Sequence, residues 1–136
     1  MTARPAHRAF DAVRTLGLAM PDVESATNWA GAPVLRVRGC FMAGLAAHAS
    51  AEADTLVVRC EIEDRERFIE DAPDTYYITD YYRPYPLVLV RLSVVEEDAL
   101  RELLAVSWRM GATKARRSGR SSERSSDARI RGRHKT

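Results

Sequence analysis

The sequence predicts an α+β fold, a two-layer sandwich in which helices cover one side of an antiparallel sheet, with the element order α-β-β-β-β-α-β-β-α. Three observations support this fold class. Apolar residues recur at steps of three and four residues in three segments, other segments are alternating or continuously apolar, and Gly, Pro and Asp separate the segments. A single sheet with helices on its apolar face accommodates this order.

The first predicted helix covers residues 5–17, because Pro5 suits the start of a helix and Gly17 suits its end. Apolar residues at three- and four-residue steps form one stripe along it: Ala6, Ala9, Phe10, Val13 and Leu16. Residues 24–29 then predict a weak strand, which leads into the turn residues 30–33.

Three further strands are predicted after this turn. Residues 34–38 alternate between apolar and basic side chains, and Gly39 permits a tight reversal after them. Residues 41–47 and 55–60 flank a loop of small residues, as the two strands of a hairpin do. Together with the weak first strand, these segments predict an antiparallel meander.

A second helix and two more strands follow. Residues 63–72 carry acids in their first turn and predict a helix, which Pro73 ends. Residues 76–79 predict a short strand, and residues 87–92 predict a strand that is apolar at nearly every position. The aromatic segment 80–86 joins these two strands.

The last predicted helix covers residues 95–110. Acids at 96–98 complement the positive end of its dipole, and Gly111 is a residue type favoured just beyond a helix end. Its predicted inner face consists of Leu100, Leu103, Leu104, Ser107 and Met110.

Charge divides the chain into a domain of residues 1–112 and a basic tail of residues 113–136. The domain has 12 Arg and no Lys against 17 acids, whereas the tail has nine basic residues against two acids. Because Ile130 is the one large aliphatic residue of the tail, burial cannot offset an ordering cost of roughly 1–2 kcal/mol per residue, and we expect disorder. The tail either contacts a phosphate backbone or only adds solubility.

Several observations bound the environment of the protein. Cys40 and Cys60 are too few for a disulfide framework and lie in apolar stretches, so we expect buried free thiols. The first ten residues lack the apolar run of a signal peptide, and no stretch approaches the roughly 18 apolar residues of a membrane span. We expect a cytoplasmic protein without membrane contact, as a monomer or weak dimer.

Alternation along three strands predicts a group of arginines on the sheet face that no helix covers. If their apolar neighbours face the helices, Arg36, Arg38, Arg59 and Arg91 face away from them. A planar guanidinium donates two parallel hydrogen bonds to a phosphate or carboxylate, so this group is a candidate binding surface. The alternative is an ordinary solvated face whose arginines pair with nearby acids.

The aromatic segment adds further candidate binding residues. Tyr82 and Tyr85 stand beside Arg83, and tyrosine rings can serve as stacking platforms next to a bound anion. The alternative is that these tyrosines pack as a hydrophobic lid with their hydroxyls hydrogen-bonded or solvated.

Catalytic and metal-binding patterns are absent from the sequence. His7, His48 and His134 are far apart in the chain, and no Gly-rich phosphate loop, nucleophile elbow or HExxH motif occurs. Asp80 could act as a general base beside Arg83, but a local cap or ion pair is the simpler interpretation. We expect no enzyme activity, no catalytic residue, no metal and no cofactor, with an unrecognised enzyme as the third functional hypothesis.

Several segments resemble the MmcQ/YjbR family. In chain order they are residues 29–33 (WAGAP), 34–39 (VLRVRG), 76–80 (YYITD), 82–92 (YRPYPLVLVRL) and the LL and SW pairs within 103–108. The resemblance extends over roughly residues 8–110, and residues 82–92 are its most specific part. The chain departs from the family pattern at Cys40, where Lys is common, and at Tyr81, where His is common.

This resemblance implies a CyaY-like α/β sandwich and DNA binding through a double-wing arrangement. Binding chemistry is carried over from it to Arg83, Tyr85 and Arg91. The first functional hypothesis is therefore a non-enzymatic DNA-binding module. The alternative is a module for a small anionic ligand or a protein partner, held by Arg83 and the neighbouring tyrosines.

Overall fold

A computed structural model of the protein describes the backbone of residues 5–124 and the side-chain environment of residues 10–113. The predicted order of helices and strands is confirmed. The elements are α1 (Pro5–Leu18), β1 (Val23–Thr27), β2 (Pro33–Val37), β3 (Cys40–Leu45), β4 (Thr55–Arg59), α2 (Ile62–Asp71), β5 (Tyr76–Tyr77), β6 (Leu87–Arg91) and α3 (Glu97–Arg124).

The strands form one antiparallel sheet in the order β1-β2-β3-β4-β6-β5. The first four strands are the predicted meander, in which each strand pairs with the next. After α2, the chain adds β5 at the far edge and then returns β6 between β4 and β5. The fold is therefore the predicted α+β arrangement, in which most strands lie beside the next strand of the chain.

The main hydrophobic core lies between one face of the sheet and the three helices. α1 contributes Phe10 and Val13, both fully buried, and α3 contributes Leu104 among others. The inward side chains of the strands alternate as predicted, so Leu35 and Val37 of β2 both lie in this core. The opposite face of the sheet, called here the outer face, carries the intervening residues.

An irregularity in β3 changes which side chains reach the outer face. Leu35 pairs with Ala43, but Arg36 pairs with Phe41, so Met42 is an extra residue in a β-bulge. Met42 and Ala43 both lie in the core, and the buried hydroxyl of Ser107 donates a hydrogen bond of 2.7 Å to the Met42 carbonyl. The bulge consequently brings Phe41 beside Arg36 on the outer face.

The predicted helix end at Gly111 is wrong, because α3 continues without interruption to Arg124. A Cβ atom added at Gly111 would lie under 3.0 Å from the Cγ1 atom of Val37. Gly111 therefore permits α3 to cross close over β2, which is a packing role that the sequence does not distinguish from a helix stop. Gly17 has the same relation to a side-chain methyl of Leu35.

The continuation of α3 also crosses the predicted boundary between domain and tail. Residues 113–124 belong to the helix, which is at odds with the disorder expected for that part of the tail. The predicted division of the chain at residue 112 otherwise stays a prediction, and residues 125–136 lie outside the described residues.

Candidate functional site

The outer face is partly covered by the aromatic segment that precedes β6. Tyr82 folds back onto it and forms a second apolar cluster with Val57 and Leu89, in which all three are buried. The Tyr82 hydroxyl accepts a hydrogen bond of 3.2 Å from the backbone N–H of His48. Tyr82 therefore packs as part of a hydrophobic lid, which is one of the two interpretations given for the tyrosines, and does not serve as a stacking platform.

A buried arginine that the sequence analysis missed holds this segment in place. Arg65 of α2 is 2% exposed, and its Nη1 donates hydrogen bonds of 3.0 and 3.2 Å to the carbonyls of Tyr85 and Leu87. A signal for this position exists in the sequence, since Arg65 precedes the apolar pair Phe68 and Ile69 by three and four residues. It therefore lies on the inner side of α2 rather than on its solvated acidic side.

Beside the Tyr82 cluster, the outer face contains a cleft of about 230 Å³. Its floor is apolar and receives one residue from each of the strands β2, β3, β4 and β6: Val34, Phe41, Val57 and Leu87. Its rim carries polar and aromatic groups from three loops and one strand: Asn28, Trp29, Arg36, His48 and Tyr81. We call this site the outer cleft. An apolar floor with a few polar groups at the edge is the general design of a ligand pocket.

Trp29 stands at the rim of the outer cleft with 88% of its surface exposed. The turn that presents it is built by Asn28, whose Oδ1 accepts hydrogen bonds of 2.8 and 2.9 Å from the backbone N–H groups of Ala30 and Ala32. Gly31 completes the turn with a φ of 81°. An indole held in water by a defined turn is a ready contact surface for a partner.

His48 and Tyr81 form another part of the rim. Their rings stack with centroids 3.5 Å apart and an interplanar angle of 8°. The Nδ1 atom of His48 accepts a hydrogen bond of 3.0 Å from the backbone N–H of Ser50. In the neutral ring this leaves Nε2 as the protonated nitrogen, so His48 can supply one hydrogen-bond donor.

Arg36 is the cationic residue on the rim of the outer cleft. Its neighbour in β1 is Glu24, which lies directly opposite it in the strand pairing. Within the described part of the chain, no carboxylate lies within ion-pair distance of the Arg36 guanidinium. Arg36 is thus the predicted arginine whose guanidinium is available to an external anion in this cleft.

Two of the four predicted arginines are instead held by carboxylates. Arg38 lies in the turn after β2 with a φ of 51°, and it pairs with Asp22 at 2.8 Å. Arg91 makes two parallel hydrogen bonds of 2.9 Å to Glu52, and these bonds lower the pKa of the Glu52 carboxyl. Arg91 also lies over the ring of Tyr77, with its guanidinium carbon 4.3 Å from the ring centroid.

The remaining predicted residues do not line the outer cleft. Arg59 lies at the end of β4 and makes a long hydrogen bond of 3.4 Å to the Phe41 carbonyl. Arg83 and Tyr85 are exposed on the aromatic segment, where Arg83 lies 3.6 Å from the exposed carboxylate of Asp80. The predicted site residues are therefore spread over several surfaces, and the structure brings only Arg36 and Tyr82 to the same cleft.

Strand spacing explains why the arginines do not form one group. Arg36 lies on β2 and Arg91 on β6, with β3 and β4 between them. At about 4.8 Å per strand, the three strand spacings alone put roughly 14 Å between their backbones. Their positions along the strands add to this distance. A shared face is therefore not a shared site, and the intervening surface is apolar because Val57 and Tyr82 cover it.

Neither cysteine forms a disulfide, as expected, but only one of them is buried. Cys60 is fully buried, whereas Cys40 is partly exposed. Burial, aided by the nearby charge of Asp64, raises the pKa of the Cys60 thiol to about 12. Cys60 is thus an unreactive core residue.

Metal ligands and membrane-spanning helices are both missing from the described residues. Over residues 10–113, whose side chains the structure describes, no group of three or more His, Cys, Asp or Glu could hold a metal ion. Among the helices within residues 5–124, none combines the length and the apolar character needed to cross a bilayer.

Comparison with known proteins gives a family but no activity. The family model described as YjbR matches residues 18–110. Three curated mycobacterial proteins are 44% identical over 46 residues, namely the uncharacterised protein Mb2600 of Mycobacterium bovis and the uncharacterised proteins MT2646 and Rv2570 of Mycobacterium tuberculosis. The match covers 34% of this chain and 36% of each relative, so the chain spans about a third of their length.

No solved structure matches the chain. The family match, in contrast, includes all six strands and extends from the end of α1 into α3. It also contains the outer cleft and the aromatic segment 80–86 in full. The chain therefore belongs to the YjbR family.

Proposed function

We propose that the chain is a non-enzymatic binding module whose outer cleft receives one planar aromatic group that bears a carboxylate or phosphate. The observation that carries this proposal is the position of Arg36 and the exposed Trp29 on the rim of a cleft with an apolar floor. A volume of about 230 Å³ lies below the roughly 300–1,000 Å³ of sites for drug-sized molecules. The cleft therefore suits a single ring system.

The floor and the rim of the outer cleft each contact a different part of such a ligand. The floor removes an apolar ring from water, and Trp29 offers a face on which the ring can stack. Arg36 supplies a charge-assisted hydrogen bond to the anionic substituent, and such bonds are shorter and stronger than neutral ones. The donor on His48 provides a second polar contact on the rim.

The proposal is tested with phenyl phosphate as the probe, and with inorganic phosphate and phenol as its two halves. Nuclear magnetic resonance follows the two tryptophan Nε1–H signals of the full chain, and the Trp29→Phe variant assigns them. We expect phenyl phosphate to move the Trp29 signal at concentrations where neither half does. The Trp108 signal should stay fixed, because Trp108 does not line the outer cleft and its Nε1–H is bound to the Pro21 carbonyl at 2.8 Å.

Two variants separate the roles of ring and charge. Arg36→Gln should weaken phenyl phosphate binding by about 10-fold or more, since a hydrogen bond to a charged group contributes roughly 1.5–3 kcal/mol. Arg14→Gln is the matched control, because Arg14 is an arginine of α1 that is paired with Asp11. Equal affinities for the two variants, or no movement of the Trp29 signal, would refute the proposal.

DNA binding is the second candidate function, and the observation in its favour is the concentration of positive charge at the end of the chain. Residues 113–136 hold nine basic residues against two acids, whereas residues 1–112 carry an excess of five acids. A nucleic acid would therefore contact the C-terminal part first. Its test is the affinity of the full chain for duplex and single-stranded DNA at increasing salt, and a lack of binding at low salt would reject it.

A further inference from the structure

We infer that a groove between the end of β4, the start of α2 and the outer side of α3 is a phosphate-binding site for a nucleic acid strand. This groove has a volume of about 720 Å³. The charged residues that line it are Arg59, Glu61, Asp64, Arg67 and Arg109. The inference rests on the second candidate function, for which it names the contact surface, and it is independent of the ligand of the outer cleft.

The charges of the groove leave two guanidinium groups for an anion. Arg67 and Asp64 form an ion pair within α2, so they neutralise each other. Arg109 is exposed, and no ion pair holds it within the described part of the chain. Glu61 opposes only part of the charge of Arg59 and Arg109, so the groove has an excess of positive charge.

Arg59 supplies the observation that points to a ligand. Its Nε atom is buried and has no acceptor among the described residues. The side-chain hydrogen bond that Arg59 does make there, from Nη1 to the Phe41 carbonyl, is long at 3.4 Å. Buried donors in folded proteins nearly always have a partner. A phosphate oxygen at Arg59 would supply acceptors to a guanidinium that the protein itself satisfies poorly.

The direction of α3 indicates that the phosphate belongs to an extended polymer. From the groove at Thr113, the helix continues for 11 residues to Arg124, which is about 17 Å at 1.5 Å per residue. This stretch has five basic residues against Glu123: Lys114, Arg116, Arg117, Arg120 and Arg124. Positions 109, 113, 117, 120 and 124 recur at steps of three and four, so they share one side of the helix. A small anion would leave that basic stretch unused.

The same stretch favours a nucleic acid over a lipid surface. A helix that binds in a membrane interface needs a wide apolar face with Trp, Phe or Leu. Residues 113–124 read TKARRSGRSSER and contain no apolar residue larger than Ala. Affinity here has to come from charge, which supplies essentially all of the nonspecific affinity for a phosphate backbone.

The test uses the full chain and short fluorescein-labelled single strands and duplexes, with anisotropy measured from about 50 to 200 mM salt. Arg109→Gln should lower the affinity several-fold at low salt and should flatten the log–log salt dependence by about 0.7–0.9 for each phosphate that the variant no longer neutralises. Arg101→Gln is the matched control. It removes the same charge from an exposed position of α3, but Arg101 is already paired with Glu97 and Asp98.

A second variant, with Arg116 and Arg117 both changed to Gln, keeps the test decisive if Arg109→Gln prevents folding. We expect it to flatten the salt dependence further while the urea unfolding midpoint stays that of the parent chain. If Arg109→Gln and Arg101→Gln bind alike, the groove is overturned while DNA binding stands. If the chain binds anionic vesicles but no DNA, both the groove and the second candidate function are overturned.

Discussion

Gly111→Ala tests whether α3 truly continues across β2, since two opposing effects meet at this residue. In a helix interior, Ala is favoured over Gly by roughly 0.8–1 kcal/mol. Against this, the new Cβ would lie under 3.0 Å from Cγ1 of Val37, which is fully buried and β-branched and so cannot rotate away freely. Overpacking of a core typically costs about 1–3 kcal/mol, and so close an approach places the cost at about 2–3 kcal/mol. After the gain in helix propensity is subtracted, we expect net destabilisation of about 1–2 kcal/mol.

Urea denaturation followed by far-ultraviolet circular dichroism measures this difference. With a slope of about 2 kcal/mol per molar urea, the middle of the usual range for small proteins, the expected loss lowers the midpoint by roughly 0.5–1 M. The control is the same substitution in a Val37→Ala background, where the obstructing methyl is gone and Gly111→Ala should stabilise the chain instead. A penalty of equal size in both backgrounds would refute the packing argument and would favour a special backbone conformation at Gly111.

Three further predictions concern stability. Ser107→Ala should cost about 1–3 kcal/mol in urea denaturation, because it leaves the buried Met42 carbonyl without its donor; a loss below about 0.5 kcal/mol would contradict this. The raised pKa of Cys60 keeps its thiol neutral in the folded state, whereas the thiol of the unfolded chain loses its proton near pH 9. The stability should therefore fall as the pH rises from about 9 towards about 12, and Cys60→Ala should reduce that fall. An unchanged dependence of stability on pH in this range would count against the prediction. Because Arg91 lowers the pKa of Glu52, the ion pair stabilises the folded state fully above pH 4.5, and this stabilisation is lost as the pH falls through the pKa that Glu52 has in the folded state. Arg91→Met should therefore lose less stability on acidification than the parent chain. Equal losses would contradict the pairing.

Most of the fold could be predicted from the sequence because strand periodicity and turn residues act locally. The strand predicted after Pro86 begins at Leu87, as β6 does, and Pro73 lies two residues beyond the end of α2. The prediction at Gly111 was wrong for a physical reason, because glycine is favoured both just beyond a helix end and where a helix packs closely on a neighbouring element. Only the position of Val37, 74 residues earlier in the chain, separates the two.

The candidate site was less predictable, because it depends on pairings between distant residues. Alternation correctly placed Arg91 on the outer face, but nothing local indicates that Glu52, 39 residues away, holds it there. Arg38 leaves the face because the turn after β2 takes a positive φ. The exposure of Trp29 follows from the turn that Asn28 builds, and an Asn before a Gly-containing turn is a signal that the sequence does contain.

The way in which Arg65 holds the aromatic segment has a consequence for how relatives can differ. Arg65 donates to the backbone oxygens of Tyr85 and Leu87, and the Cys60 N–H donates to the backbone oxygen of Pro86 between them. These hydrogen bonds to the backbone do not depend on which side chains the segment carries. The exposed side chains of Arg83 and Tyr85 can therefore be exchanged at little expense to stability. The surface at this edge of the molecule can therefore vary between relatives while the backbone beneath it stays the same.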